Sequence, residues 1–218
     1  MSNPLPERPV RIFVGFQIDS AIRESVQRFK DEIHAFAPKA RWQRPESLHV
    51  TLKFIGEKDA TTVEAVKREL AGIRAPQFNV AFRGYGFFPT PQAARVFWIG
   101  IEAAAELNQL AATVDEATAR LGISKETHAF RPHLTLARGT GTSASPRWRK
   151  QDRDNQNFVT LQQKVAALPS PDFGSMTVKQ FVLYRSDISR EGARYAPLAD
   201  FALLPNAFAS SEPPSATS

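Results

Sequence analysis

Hydrophobic positions along the chain follow two alternating periods. Residues 10–16 (VRIFVGF) form a compact apolar run of strand length. Ile22, Val26, Phe29 and Ile33 recur at spacings of four, three and four, which describes one helical face. Asp19 stands where it can cap that helix, and Pro38 lies beyond its end. Residues 47–55 (SLHVTLKFI) predict a second strand ending at Gly56, then a helix from Thr61 or Thr62 to Leu70, halted by Gly72 and Pro76. Alternating Phe78, Val80 and Phe82 predict a third strand. Gly84, Gly86, Pro89 and Pro91 predict a loop after it.

The pattern then restarts. Residues 95–101 (RVFWIGI) resemble the first strand in kind, and Leu107, Leu110, Val114, Ala117 and Leu121 share a helical face with Gly122 as its C-cap. A strand over 133–137, a flexible loop over Gly139–Pro146 and a helix over about 155–168 follow. A last strand pair covers 176–184 and roughly 194–204. Residues 1–9 read as a proline-rich arm, 10–204 as the folded domain and 205–218 as a disordered tail. His49 and His133 stand 84 residues apart, each 38 residues after the start of an Arg-apolar-Phe strand, Arg11-Ile12-Phe13 or Arg95-Val96-Phe97. The same offset carries Asp31-Glu32 onto Asp115-Glu116 and Val26 onto Leu110, so the chain holds two copies of one α/β unit.

The repeat carries chemistry. His49-Val50-Thr51-Leu52 and His133-Leu134-Thr135-Leu136 both fall in strands, where side chains at i and i+2 share a face. Each strand therefore offers an imidazole and a hydroxyl on one surface and two apolar residues to a core. Two such strands side by side supply a base and an acid for in-line attack at a phosphodiester, since imidazoles titrate near neutrality. The two threonine hydroxyls can donate to the non-bridging oxygens. The site is pseudo-symmetric, so either histidine can serve as the acid and the other as the base. His34 and His128 have no repeat counterpart and read as ordinary residues.

Composition narrows the chemistry further. Hydrophobic residues make up 42% and charged residues 23% of 218, a globular balance with room for one large domain. Cysteine is absent, which excludes disulfides, thiolate nucleophiles and cysteine-held metals, and with four histidines no metal or other cofactor is expected. A formal charge of +6 favours acidic partners such as nucleic acid or a nucleotide phosphate. No apolar run approaches a membrane span, and the N-terminus lacks the form of a secretory signal, so a cytoplasmic monomer is expected. Arg131 and Arg138 flank the second motif and suit phosphate. By strand alternation, Arg138 falls on the face opposite His133 unless the chain bends. Arg147-Trp148-Arg149-Lys150, Trp42, Tyr85, Phe87 and Phe88 are candidates for stacking on bases, against a solvated loop for the first group and core positions for the rest. The lack of a P-loop disfavours ATP-dependent ligation.

The paired motifs, in RWQRPESLHVTLKFIG and FRPHLTLAR, resemble the 2H phosphoesterase superfamily, and within it the RNA 2′,3′-cyclic phosphodiesterases, also known as bacterial 2′-5′ RNA ligases. The resemblance spans about residues 10–204, with RIFVGF, ARVFWIGI and LYRS with Tyr195 as further echoes. It implies an α+β fold, bilobal, with two antiparallel sheets around a central groove and helices outside. It also implies metal-independent hydrolysis of a terminal 2′,3′-cyclic phosphate to a 2′-phosphate, with RNA 3′ ends or small cyclic nucleotides as partners. In that family's pattern His49 is the proton donor, His133 the proton acceptor, and Thr51 and Thr135 are the motif threonines. Reversible 2′-5′ joining, hydrolysis of a small cyclic nucleotide, and a non-catalytic RNA-binding module are the alternatives. The long polar stretch 139–158 departs from the pattern and bears on the shape of the groove rim.

Overall fold

A computed structural model describes residues 8–139, 158–189 and 192–205. Strands β1 (Val10–Gln17), β2 (Arg41–Trp42), β3 (His49–Lys58), β4 (Phe78–Phe88), β5 (Val96–Ala103), β6 (His133–Arg138), β7 (Asp172–Val178), β8 (Gln180–Ser189) and β9 (Gly192–Ala202) form one sheet. Its order is β7-β4-β5-β6-β3-β1-β8-β9, with the two-residue β2 paired to β6. All of these pairings are antiparallel. The helices are α1 (Ser20–Ile33), α2 (Ala60–Ala71), α3 (Ala105–Ala119) and α4 (Val159–Ala166).

The two sheets expected from sequence are thus one curled sheet, and the reason lies at its centre. β3 of the first half meets β6 of the second at a single register pair, Val50 with Leu134. Each half also lends strands to the other. β4 leaves the first half to pair with β5, while β8 returns from the far end of the chain to pair with β1. The sheet's inner face and all four helices share one core, which holds Ile22 and Val26 of α1, Val66 of α2, Leu110 of α3 and Leu161 of α4. The other face is left to a small cluster of Phe13, Val182 and Tyr184 with Tyr195 against it.

Local chemistry explains where expected elements moved. Asp19 caps α1 as predicted, its carboxylate accepting from Ile22 N at 2.9 Å. The cap of α2 is Asp59, which accepts from Thr62 N at 2.7 Å, rather than a threonine. A 3₁₀ turn over Pro45–Ser47 delays the second strand to His49. β4 runs on through Gly84 and Gly86, where a loop was expected. Gly84 is left-handed (φ 64°) at the shift in register between Arg83 and Tyr85, and Gly86 lies under Trp98, where a Cβ would stand 2.2 Å from the indole. Gly122, expected as the α3 C-cap, is left-handed two residues later; the cap is Arg120. The expected strand 176–184 is two strands parted at Lys179, β7 and β8, which sit towards opposite ends of the sheet. The expected helix over 155–168 is α4, and its first residues, together with Arg147–Lys150 and most of the two termini, lie outside the described residues.

Candidate active site

The seam between β3 and β6 creates the site. With Val50 opposite Leu134, antiparallel pairing sets His49 against Thr135 and Thr51 against His133. Val50 and Leu134 are fully buried on the core side. The two histidines and two threonines therefore share the opposite face, half-buried, each imidazole across from the other motif's hydroxyl. The outer partners differ by half. Gln17 and Gly15 stand beside His49 and Thr51, and Gly100 and Trp98 beside His133 and Thr135. Structural equivalents on these outer strands are 83 residues apart, one fewer than the 84 separating the histidines.

Both imidazoles are held in the same way. His49 Nδ1 donates to Ser47 O at 2.8 Å, and His133 Nδ1 donates to Arg131 O at 2.7 Å. A carbonyl can only accept, so each Nδ1 carries the hydrogen and each Nε2 is free to exchange a proton. Rings pin both from the sides. His49 lies 4.7 Å from both the Phe13 and the Tyr195 ring centroids, and His133 lies 4.9 Å from Phe88 and 6.4 Å from Trp98. A shallow pocket beside His49 is lined by Gln17, Glu46, Ser47, Leu48, Tyr184 and Tyr195.

This burial keeps the imidazoles neutral. Desolvation lowers the pKa of His49 from 6.5 to about 4, opposed by the bond to Ser47, while the charges of Arg138 and His133 push it down further. Burial and Arg138 lower His133 as well, opposed by the bond to Arg131. Burial raises the Tyr184 phenol to about 12.

Arg138 does face both histidines, and a bulge is the cause. In β6 the register steps from Thr135 opposite Trp98 to Ala137 opposite Phe97, leaving Leu136 as the extra residue. The bulge turns Ala137 into the core and swings Arg138 onto the histidine face. β3 carries the matching bulge at Leu52, which buries Lys53 and brings Phe54 to the open face, 51% exposed and 5.9 Å from Phe13. Phe54 and Arg138 are thus equivalent positions of the two halves.

The other candidates separate cleanly. Arg131 contributes its carbonyl, and its side chain is exposed. Trp42 packs on the core 6.0 Å from Phe97 and donates from Nε1 to Ala37 O at 3.1 Å. Phe87 is buried, Tyr85 packs 6.3 Å from it, and of these aromatics Phe88 joins the site. Phe13, Phe54, Trp98 and Tyr184 were missed by sequence reasoning. Spacing from the histidines along one strand could not find them, because they enter from neighbouring strands or through a bulge. Among the described residues no three His, Asp or Glu side chains cluster as a metal site.

Comparison with known proteins places the chain in a family. The chain is 31% identical over 192 residues to the RNA 2′,3′-cyclic phosphodiesterase of Archaeoglobus fulgidus, covering 88% of this chain and 99% of that protein. It is 31% identical over 198 residues to the Escherichia coli protein of the same name, covering 89% and 97%. The crystal structure of E. coli LigT complexed with 3′-AMP matches with a TM-score of 0.69 at 28% identity, covering 89% of this chain and 98% of that one. The LigT-like phosphoesterase family model matches twice, over residues 16–98 and 99–195, and each match contains one histidine motif. The chain belongs to the LigT-like phosphoesterase family.

Proposed function

We propose that the protein hydrolyses the terminal 2′,3′-cyclic phosphate of RNA to a 2′-phosphate. The observation that carries this reading is the crossed arrangement of two Nδ1-anchored imidazoles and two hydroxyls on one sheet face. His133 Nε2 takes a proton from water as its oxygen bonds to phosphorus. The P–O3′ bond breaks, and His49 Nε2–H delivers a proton to O3′. Thr51, Thr135 and the Arg138 guanidinium hold the non-bridging oxygens as negative charge builds. The free site keeps both imidazoles neutral, so His49 acquires its proton with the substrate, whose anionic phosphate offsets the charge of Arg138. The exposed Phe54 ring and the aromatic walls around both histidines offer apolar surface to a nucleoside. The names of the relatives and the 3′-AMP complex of E. coli LigT support a nucleotide substrate.

The exchange of β4 and β8 between the halves supports reading residues 10–204 as one catalytic unit. Bacterial and archaeal relatives support a cytoplasmic setting. No described helix is long and apolar enough to cross a membrane.

The test is product analysis on an oligonucleotide ending in a 2′,3′-cyclic phosphate, with chelator present. The expected product is a 2′-phosphate, and His49→Ala and His133→Ala should each abolish its formation with the fold intact by circular dichroism. A 3′-phosphate product, or wild-type turnover by either variant, refutes the mechanism.

A further inference from the structure

Lys53 is a charged side chain buried in the core, 2% exposed and two residues beyond Thr51. Strict alternation would have set it on the histidine face beside a phosphate. The bulge at Leu52 turns it inward instead, where Nζ meets the Asp115 carboxylate of α3 and donates to Ser124 O at 3.0 Å. The same Asp115 oxygen, Oδ1, accepts from Glu126 N at 3.2 Å. Ser124 and Glu126 belong to the stretch 120–132, which has no regular structure and leads directly into β6. Near its end stands the Arg131 carbonyl that fixes His133 Nδ1. Its other ion pairs, Arg120 with Glu69 and Lys125 with Glu116, are largely exposed and hold it weakly.

We infer that Lys53 is a positioning residue for the second histidine. Through Asp115 it anchors the 124–126 backbone from below, and this anchored backbone carries the Arg131 carbonyl to His133. The first motif's strand thereby sets the orientation of the second motif's imidazole across the seam. Stability alone is a poor reason for such a pair. Buried ion pairs can often be replaced by apolar residues without loss, and a role in fixing register is their best-attested use.

The rate arm of the test rests on the proposed hydrolysis, whereas the tautomer arm does not. Lys53→Met and Lys53→Met/Asp115→Leu are compared with wild type by imidazole ¹⁵N chemical shifts, steady-state kinetics on a cyclic-phosphate dinucleotide, and urea unfolding. In Lys53→Met, His133 should lose its uniform Nδ1–H tautomer while His49 keeps its own, and kcat should fall about tenfold or more with KM little changed. The double variant should recover the urea midpoint without recovering kcat or the His133 tautomer. If the tautomer stays uniform in both variants, or if the rate returns together with stability in the double variant, the pair only holds the fold and the inference fails. Should Lys53→Met not fold, the double variant decides the question alone. A wild-type enzyme inert on cyclic phosphate would defeat the proposed function and leave the tautomer result to judge this inference.

Discussion

Acid should destabilise this protein through His49 in particular. In the unfolded chain the imidazole titrates near 6.5, and in the folded chain near 4. The folded pKa is depressed, so the contribution to stability is fully present above pH 6.5 and drains away as pH falls towards 4. The interval between those values, at ~1.36 kcal/mol per pH unit, is worth about 3 kcal/mol. By pH 4.5 about 2.5 kcal/mol of that should be gone, a large part of the ~5–15 kcal/mol typical of a domain. The perturbation is His49→Gln, which keeps a neutral polar side chain and removes the titration. Urea unfolding followed by tryptophan fluorescence, at pH 7.5 and 4.5, gives four free energies. Carboxylates and His133 titrate in both proteins and cancel in the double difference. Wild type should lose about 2.5 kcal/mol more than the variant between the two pH values. Equal losses would mean that the imidazole between Phe13 and Tyr195 is as well solvated as a free one, and the account of how the site keeps it neutral would be wrong.

Three further outcomes follow from the same geometry. Arg138→Gln removes a positive charge that lowers both imidazoles, so both histidine titrations should move to higher pH in NMR, and unmoved titrations would place the guanidinium elsewhere. Thr51→Ala and Thr135→Ala should each slow hydrolysis by less than the histidine changes, roughly two- to tenfold for one lost hydrogen bond of about 0.5–1.5 kcal/mol, and a loss as large as that of His49→Ala would contradict the ranking. Gly86→Ala would drive a methyl group into the Trp98 indole, costing about 1–3 kcal/mol in urea unfolding and shifting the tryptophan emission; an unchanged protein would mean that the ring does not lie on that glycine.

What could be read from sequence and what could not divides by range. The helical faces of α1 and α3, the Asp19 cap, the strands carrying both motifs and the placing of His and Thr on a shared face follow from periods of 3.6 and 2, which are local properties. The duplication was legible because a rare residue repeated with its neighbours. Strand exchange was not, because no local signal says that β4 will pair with β5 or that β8 will travel back to β1. Gly84 and Gly86 read as loop residues, since the same residue type serves a turn, a bulge and a close approach by an indole. Arg138 was assigned by counting, and a one-residue bulge defeats counting by sending every later side chain to the other face, as it also does for Lys53.

Those bulges also bear on the question that symmetry left open. Each motif strand gains one extra residue at the same place, Leu52 in one and Leu136 in the other, so backbone and histidines keep the two-fold relation. The residues swung onto the open face do not, being Phe54 in one half and Arg138 in the other. A single guanidinium therefore depresses both imidazoles from one side of the site. His49 feels it together with a push in the same direction from His133 and, larger than either, the burial imposed by Phe13 and Tyr195. An imidazole that holds its proton reluctantly is the stronger acid once the substrate has supplied that proton, and it hands it over more completely to a departing alkoxide. His133, depressed by the same burial and by Arg138 but without so large a shift, is the better placed to accept a proton from water. The proposed roles, donor for His49 and acceptor for His133, then rest first on the burial that depresses His49 so strongly, with the guanidinium that a bulge turned around adding to it.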